Sequence, residues 1–400
     1  MKLYKHQQRV VDNNLPKLLL AHGLGSGKTI TALALARKNG LHPLVIVPKP
    51  VKRKWKQAIV DMDMVGTVMT REEFRRDATK LETFITVIVD EAHYGFTTLK
   101  AQLHKKLRWY IKKHGVRFIW LLTGTPYTRD PWSIYGLAII LGYEWNYMDF
   151  RNQYFYEQYY GRRSVWLPKP NIESQVAELV RMIGDVVALD DCFDVPEQTY
   201  IEETFTFTPE QKKANKWVEE NESDPLVRIT KYHQIACGTK KGNEFMLDEK
   251  YKSEKNNRIV EYCQNNDKVI VFSRYNLHLQ LLSWMLEKQD IPHDIVNGKT
   301  DDKEAIFEKA EASDRHVLLI NAMCSVGYEL PSFGLMLFAS LSYSYVDYTQ
   351  AQGRILRANA LKKNIYVIMN TEDSVDEAVW ASVQKKQDFD EAIFSKQKNI

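Results

Sequence analysis

Cysteine is scarce and badly spaced for a structural role. The four residues, Cys192, Cys237, Cys263 and Cys324, form no CxxC pair and have no histidine at ligand spacing, which argues against both a zinc module and a disulfide framework. That usage fits a reducing, intracellular setting. Long apolar runs are missing too: the longest, around Ser332 to Leu341, reaches about half of the ~20 residues that cross a membrane, so no membrane partner is expected. The opening decapeptide MKLYKHQQRV is too polar for a signal peptide. Short-period repeats and low-complexity tracts are absent as well. Nor does one charge sign dominate, since 55 Lys+Arg against 51 Asp+Glu leaves a net charge of +4, too little for the global field to select a polyanion.

What the chain does hold is ordinary globular material, 44% hydrophobic and 26% charged over 400 residues. That length exceeds one core and suits two domains. Short apolar runs rich in β-branched residues, each followed by a polar turn and a helix-like segment, recur at Lys17–Leu20, Leu44–Val47, Ile85–Val89 and Phe118–Leu122. A second set falls at Val269–Phe272, Asp294–Val296, Val317–Ile320, Leu335–Phe338 and Ile365–Met369. Buried strands alternating with helices predict an α/β fold with two parallel-sheet lobes. The stretch from Gly142 to about Lys255 lacks this rhythm and reads as an inter-lobe helical region. It starts with an aromatic-rich segment (Tyr154, Phe155, Tyr156, Tyr159, Tyr160), read as core packing, and prolines suit turns or helix starts at Val195–Pro196 and Thr208–Pro209. The expected division is 1–195, with a helical and aromatic extension from about 143, and 196–400, with its sheet from about 255.

Three segments of the first lobe carry phosphate chemistry. HGLGSGKT follows one strand run and opens a helical pattern, the context that a phosphate-binding loop requires. Gly23, Gly25 and Gly27, with Ser26, let backbone N–H groups turn inward, Lys28 reaches the terminal phosphates, and Thr29 offers its hydroxyl to Mg²⁺. The strict pattern has glycine where His22 stands. Next, Asp90-Glu91-Ala92-His93 ends the apolar run 85–89, so Asp90 is placed to hold Mg²⁺ through water and Glu91 to orient and deprotonate the attacking water. His93 is assigned to coupling. In LLTGTP, Thr123 and Thr125 can exchange hydrogen bonds with the carboxylate motif and pass on the state of the nucleotide. From the second lobe, QAQGRILRA places Arg354 and Arg357 three apart, on one face of a short helix and suited to neutralising a γ-phosphate.

With these motifs the chain resembles superfamily 2 helicase-type ATPases, and more narrowly the Swi/Snf family of double-stranded DNA translocases. The shorter GxGKT loop is common in that superfamily. LYKHQ is similar to the family's N-terminal motif, which implies that Gln7 reads adenine, and PLVIVPKPVKRKWKQ is similar to its second motif. TGTPYTRDPWSIYGLAIILGY, the passage from Val195 to Gln211, KYHQIACG and SEKNNRIVEYCQNNDKVIVFSRY extend the likeness over most of the chain. CSVGYELP and QAQGRILRA depart from the narrow family, with Gly353 and Leu356 where it has Asp and His. The resemblance implies two RecA-like lobes with an ATP cleft between them, ATP and Mg²⁺ as cofactors, and Gly327 and Gln350 as further nucleotide contacts. It also implies a minimal cytoplasmic motor of a bacterial or phage-infected cell, without reading modules and targeted by protein partners.

The track is read from charge. KPVKRKWK gathers Lys49, Lys52, Arg53, Lys54 and Lys56 around Trp55 at the end of a strand, where contacts to duplex DNA phosphates, blind to base sequence, are expected. Trp55 itself is read as a packing residue. Ser273, Arg274 and Asn321, at strand ends of the second lobe, are set to clamp the backbone from the other side. A second basic cluster, Lys105 to Arg117, is open between such a contact and a solvated helix face. A strand-separating DNA or RNA helicase shares every one of these motifs, and a nucleotide-gated binding module shares those that merely bind.

Overall fold

The structure, a computed structural model, describes residues 3–385 except 24, 125–130, 161–162, 189–191, 193–196, 241–243, 246–252, 325–327 and 357–362. It divides into two compact units, Met1–Asp194 and Val195–Ile400. Unit one contains strands β1 (Lys17–His22), β2 (Leu44–Val47), β3 (Thr67–Thr70), β4 (Thr86–Val89), β5 (Phe118–Thr123), β6 (Phe155–Tyr160), β7 (Arg163–Pro168) and β8 (Gly184–Val187). Its helices are α1 (Lys5–Asn13), α2 (Lys28–Lys38), α3 (Lys52–Asp61), α4 (Arg71–Asp77), α5 (Gln102–His114), α6 (Pro131–Leu141), α7 (Tyr147–Tyr154) and α8 (Glu173–Ile183). Six strands form one parallel sheet in the order β3-β2-β4-β5-β1-β8, and β6 and β7 pair as a separate antiparallel hairpin.

Unit two holds β9 (Gln198–Phe205), β10 (Thr239–Lys240), β11 (Glu244–Phe245), β12 (Lys268–Ser273), β13 (His293–Val296), β14 (His316–Asn321), β15 (Leu335–Phe338) and β16 (Asn364–Thr371). With them come α9 (Pro209–Asn221), α10 (Pro225–Ala236), α11 (Glu254–Asn265), α12 (Asn276–Glu287), α13 (Lys303–Ala312), α14 (Tyr345–Gln352) and α15 (Val375–Gln384). A second six-stranded parallel sheet runs β13-β14-β12-β15-β16-β9. Two such sheets are consistent with two RecA-like lobes, as the sequence implied.

Each sheet is covered on both faces, because successive strand side chains point to opposite sides. Val87 and Val89 of β4 join one buried cluster of unit one while Ile88 joins another. Ile270 and Phe272 of β12 are likewise separated from Val269 and Val271. Every one of the nine apolar runs becomes a strand of one of these sheets.

The region 142–255 departs from expectation. It holds β8, which borders β1, and β9, which borders β16, so the second sheet draws in a strand well before residue 255. Both are edge strands with mixed burial, β9 alternating along its length, and neither contains the continuous apolar run that marks a strand buried on both faces. β3 escaped notice for the same reason. The aromatic segment splits: Tyr154 and Phe155 are buried, whereas Tyr156 is 40% and Tyr159 is 70% exposed on the hairpin. Pro209 does start a helix, with a capping box between Thr208 and Gln211; Val195–Pro196 lies outside the described residues. None of the described helices is long and apolar enough to cross a membrane.

One glycine is fixed by close packing. A Cβ on Gly136, inside α6, would lie 1.8 Å from the Thr97 carbonyl oxygen, and the Gly136 carbonyl also meets His104 Nε2 at 3.1 Å. Alanine has the better helix propensity, yet Gly136→Ala is expected to lower the unfolding free energy by about 1–3 kcal/mol. Chemical denaturation checks this, and an unchanged midpoint would mean that α6 can move aside.

Candidate functional site

The loop between β1 and α2 is shaped by backbone geometry. Gly25 and Gly27 have φ of 84° and 78°, left-handed values that side chains disfavour. The loop is closed by Gly23 N–H donating to the Val187 carbonyl at 2.8 Å and Ser26 Oγ donating to the Gly23 carbonyl at 2.7 Å. α2 then begins at Lys28, with no acidic residue in its first turn, so its positive end stays uncompensated. The Lys28 ammonium lies over the loop, 2.9 Å from the His22 carbonyl and 3.1 Å from that of Gly23. Thr29 is the second residue of the helix.

Gln7, carried on α1, is 3% exposed and meets the same loop: its Nε2 lies 3.3 Å from both the Ser26 and the Gly27 carbonyls. A Cβ on Gly27 would collide with it at 2.4 Å. Beside it, His6 Nε2 contacts the Ser26 carbonyl at 2.8 Å. His22, the departure from the strict loop pattern, is fully buried and meets Asp185 of β8 at 2.8 Å, and Arg9 grips the same carboxylate at 2.7 Å. Burial works against the Asp185 charge, but the hydrogen bonds from His22 and Arg9 hold its carboxyl below the ordinary range. Burial dominates at His22 and pushes its imidazole down towards the neutral form. A clasp of α1, β1 and β8 therefore sits under the loop. Sequence reasoning missed Arg9 and Asp185, which are far apart in the chain and belong to no motif.

At the end of β4, Asp90 and Glu91 are each 9% exposed. Burial, and then repulsion from Glu91, push the Asp90 carboxyl above its usual range, opposed by the Trp55 hydrogen bond, Lys28 and Arg71. Trp55 is packed, as expected, but its Nε1–H also donates to Asp90 Oδ2 at 2.8 Å. Arg71, at the start of α4, donates to the Asp90 and Glu91 carbonyls at 3.2 and 3.0 Å. Its guanidinium carbon lies 5.3 Å from the Tyr94 ring. It was not among the candidates; its signal was only a lone cation at a helix start. Glu91 has φ 48°, a left-handed conformation that costs a non-glycine residue roughly 1–3 kcal/mol and clusters at functional sites. His93 Nδ1 meets Thr123 Oγ1 at 3.0 Å and Glu91 Oε2 at 3.4 Å, so the two coupling candidates touch. Thr125 lies outside the described residues.

The basic segment behaves unevenly. Lys52 is bound by Glu73 at 2.6 Å and so serves α4, while Lys49, Arg53 and Lys54 are exposed. In unit two, Ser273 is buried and its hydroxyl is shared between His278 Nδ1 at 3.0 Å and Ser340 Oγ at 2.9 Å. Asn321 Nδ2 donates to the Arg274 carbonyl at 3.0 Å. Arg274 itself is half-buried and stacks 3.7 Å from the Tyr343 ring. Beneath it lies a buried ionic group: Asp376 contacts Lys255 Nζ at 2.8 Å and His233 Nε2 at 3.0 Å, and His233 Nδ1 faces the hydroxyls of Tyr275 and Tyr343.

Arg354 is not carried on a helix. α14 stops at Gln352, and Arg354 follows in a turn, 5% exposed, donating to the Gln350 and Tyr328 carbonyls at 2.9 and 2.8 Å. Gln350 is fully buried. Gly327 and Arg357 lie outside the described residues.

Residues 254–359 match the helicase conserved C-terminal domain. Over 92% of its length the chain is also similar to the SWI/SNF-related matrix-associated actin-dependent regulator of chromatin subfamily A-like protein 1 of Xenopus tropicalis, at 22% identity, and of Bos taurus, at 23%. The Drosophila melanogaster counterpart matches at 22% over 93% of the chain. The chain spans 42% of the length of the first two relatives and 53% of the third. Domain match and similarity together support a superfamily 2 helicase/translocase, a helicase-family ATPase.

Removing the indole donor leaves buried Asp90 Oδ2 without this bond, while Oδ1 keeps the Glu91 N–H. Trp55→Phe is therefore expected to lower the stability of the protein at neutral pH by about 1–3 kcal/mol, read from denaturant midpoints. A variant as stable as the parent would show that Asp90 does not depend on that bond.

Proposed function

We propose that this chain is a Mg²⁺-dependent ATPase that couples hydrolysis to movement along duplex DNA. The observation that carries the reading is the buried Asp90–Glu91 pair at the end of β4. Lys28 of the phosphate loop is near enough to draw the Asp90 pKa down. The donor chemistry fits Mg²⁺: Asp90 and the Thr29 hydroxyl are hard oxygen ligands, and a further cation would offset the burial that opposes the Asp90 charge. Among the described residues no group of three His, Cys, Asp or Glu side chains could hold a metal alone, which suits an ion shared with phosphate oxygens. Bound there, Mg²⁺ would supply charge neutralisation. Gly25, Ser26, Gly27 and Lys28 would take the phosphates, Gln7 the adenine, and Glu91 the proton of the attacking water. His93 and Thr123 would pass the state of Glu91 to β5. Arg354 and Arg357, with Gly327 and Gln350, are the second unit's part in the same proposal.

The duplex track is supported by the relatives, which are named as chromatin regulators, and by the exposed cations Lys49, Arg53 and Lys54. Half-buried Arg274 is the backbone contact assigned to unit two, with Ser273 and Asn321 shaping its strand end. ATP turnover measured with duplex DNA, single-stranded DNA and RNA, alongside displacement of a third strand and of a paired strand, tests the track. Stimulation by RNA alone, or unwinding of a paired strand without third-strand displacement, would overturn it.

Two substitutions test the engine. Glu91→Gln is expected to keep nucleotide binding and to lose at least 10²-fold in turnover; unchanged hydrolysis removes its role as base. Lys28→Ala is expected to weaken nucleotide binding itself by about 10- to 100-fold, measured with a fluorescent ATP analogue. Wild-type affinity there would refute the placement of the phosphates.

A further inference from the structure

From Ala92 to Arg129 the chain contains no aspartate or glutamate. In the middle of this stretch α5 carries Lys105, Lys106, Arg108, Lys112 and Lys113, and Arg117 follows it. The opposite side of the helix is fixed by buried His104, Leu107 and Tyr110. Lys105, Arg108 and Lys112, at i, i+3 and i+7, consequently share one exposed stripe about 10 Å long. Trp109, 39% exposed, and Lys113 flank it.

The three cations of the stripe are uncompensated. None of Lys105, Arg108 and Lys112 pairs with a carboxylate among the described residues; Lys106, off the stripe, reaches the Arg75 carbonyl and lies near Asp77. The acidic side chains of the adjoining α4 are engaged elsewhere, Glu73 with Lys52, Asp77 with Arg76, and Glu72 against Arg71. A solvated helix would be expected to intersperse signs, since like charges at i, i+3 and i, i+4 repel. The helix dipole accounts for Lys112 and Lys113 in the last turn, but it disfavours Lys105 and Lys106 near an N-terminus that has no acidic residue. Fold stability thus does not explain the stripe.

We propose that the exposed face of α5 is an additional binding surface for duplex nucleic acid, taking phosphates of the backbone on Lys105, Arg108 and Lys112. A linear row of cations matches a linear polyanion, and it lies on a helix packed over the sheet, not on the strand-end loops assigned to the track. A single-strand site would offer an aromatic face to the bases. Here the Lys113 ammonium lies 4.6 Å from the centre of the Trp109 ring, covering that face. The surface extends the duplex reading given above but does not need its motor chemistry.

The test is the Lys105→Gln/Arg108→Gln/Lys112→Gln variant of the full chain, titrated with a duplex oligonucleotide, its single strand and poly-glutamate across 50–200 mM salt on the scale where phosphate contacts are read. The expected result is weaker duplex binding with the slope of log K against log salt shallower by about 3. Thermal stability should be no lower than wild type, because repulsion has been removed. A folded variant with the wild-type duplex slope overturns the proposal, and so does an equal loss of poly-glutamate binding, which would mark an acidic-protein surface. Duplex binding through α5 without duplex-stimulated ATP turnover would sink the motor reading and leave this one standing. Stimulated turnover with an unchanged slope would do the reverse. Should the triple variant fail to fold, Arg108→Gln alone is expected to lower the slope by about 1, and no change overturns the proposal.

Discussion

Two adjacent carboxylates held almost out of water impose the central constraint on unit one. Asp90 and Glu91 repel each other in a low-dielectric setting, where unpaired charge is expensive, and Glu91 is in addition held in a left-handed conformation. The surrounding structure is arranged to make this tolerable. Trp55 from α3 donates to Asp90, Arg71 from α4 covers the backbone of both, and Lys28 from α2 adds positive charge. Three helices that follow three different strands thus converge on one strand end. Only a parallel sheet delivers them there, because all of its strands end on the same side.

The same logic explains the second layer of contacts. The clasp of Arg9, Asp185 and His22 fixes the edge strand β8 and the helix bearing Gln7 against the β1–α2 loop, so the loop and Gln7 are built as one piece. In unit two the buried Asp376–Lys255–His233 group lies close to Arg274. Burying such ions is costly unless they are paired, and Asp376 Oδ2 accepts from Lys255 and the Thr371 N–H while Oδ1 lies 3.0 Å from His233 Nε2. Burial opposes the Asp376 charge, but Lys255 and His233 hold its carboxyl far below the usual range.

Basic residues on the surface of unit one are not equivalent, and the difference lies in their partners. Lys52 looks like a phosphate contact in sequence but is an internal brace for Glu73, whose carboxyl is held down by that bond and by the Thr70 N–H. Lys105, Arg108 and Lys112 look like an ordinary solvated face but have no counter-charge. Which cations are spare is decided by the helices packed beside them.

Sequence alone determined the class of fold and marked the strand ends at which the candidate site is built. Continuous apolar runs mark strands buried on both faces, and glycine spacing, Lys28 and the Asp90–Glu91 pair are local features that need no long-range knowledge. It could not determine the edge strands β3, β8 and β9, whose mixed burial leaves no apolar run, or the end of α14 before Arg354. Nor could it show the partners that make the site tolerable, because Trp55 meets Asp90 across 35 residues and Arg9 meets Asp185 across 176. Those were decided by tertiary structure: a buried charge takes whichever donor the packing brings within reach, and separation along the chain does not enter.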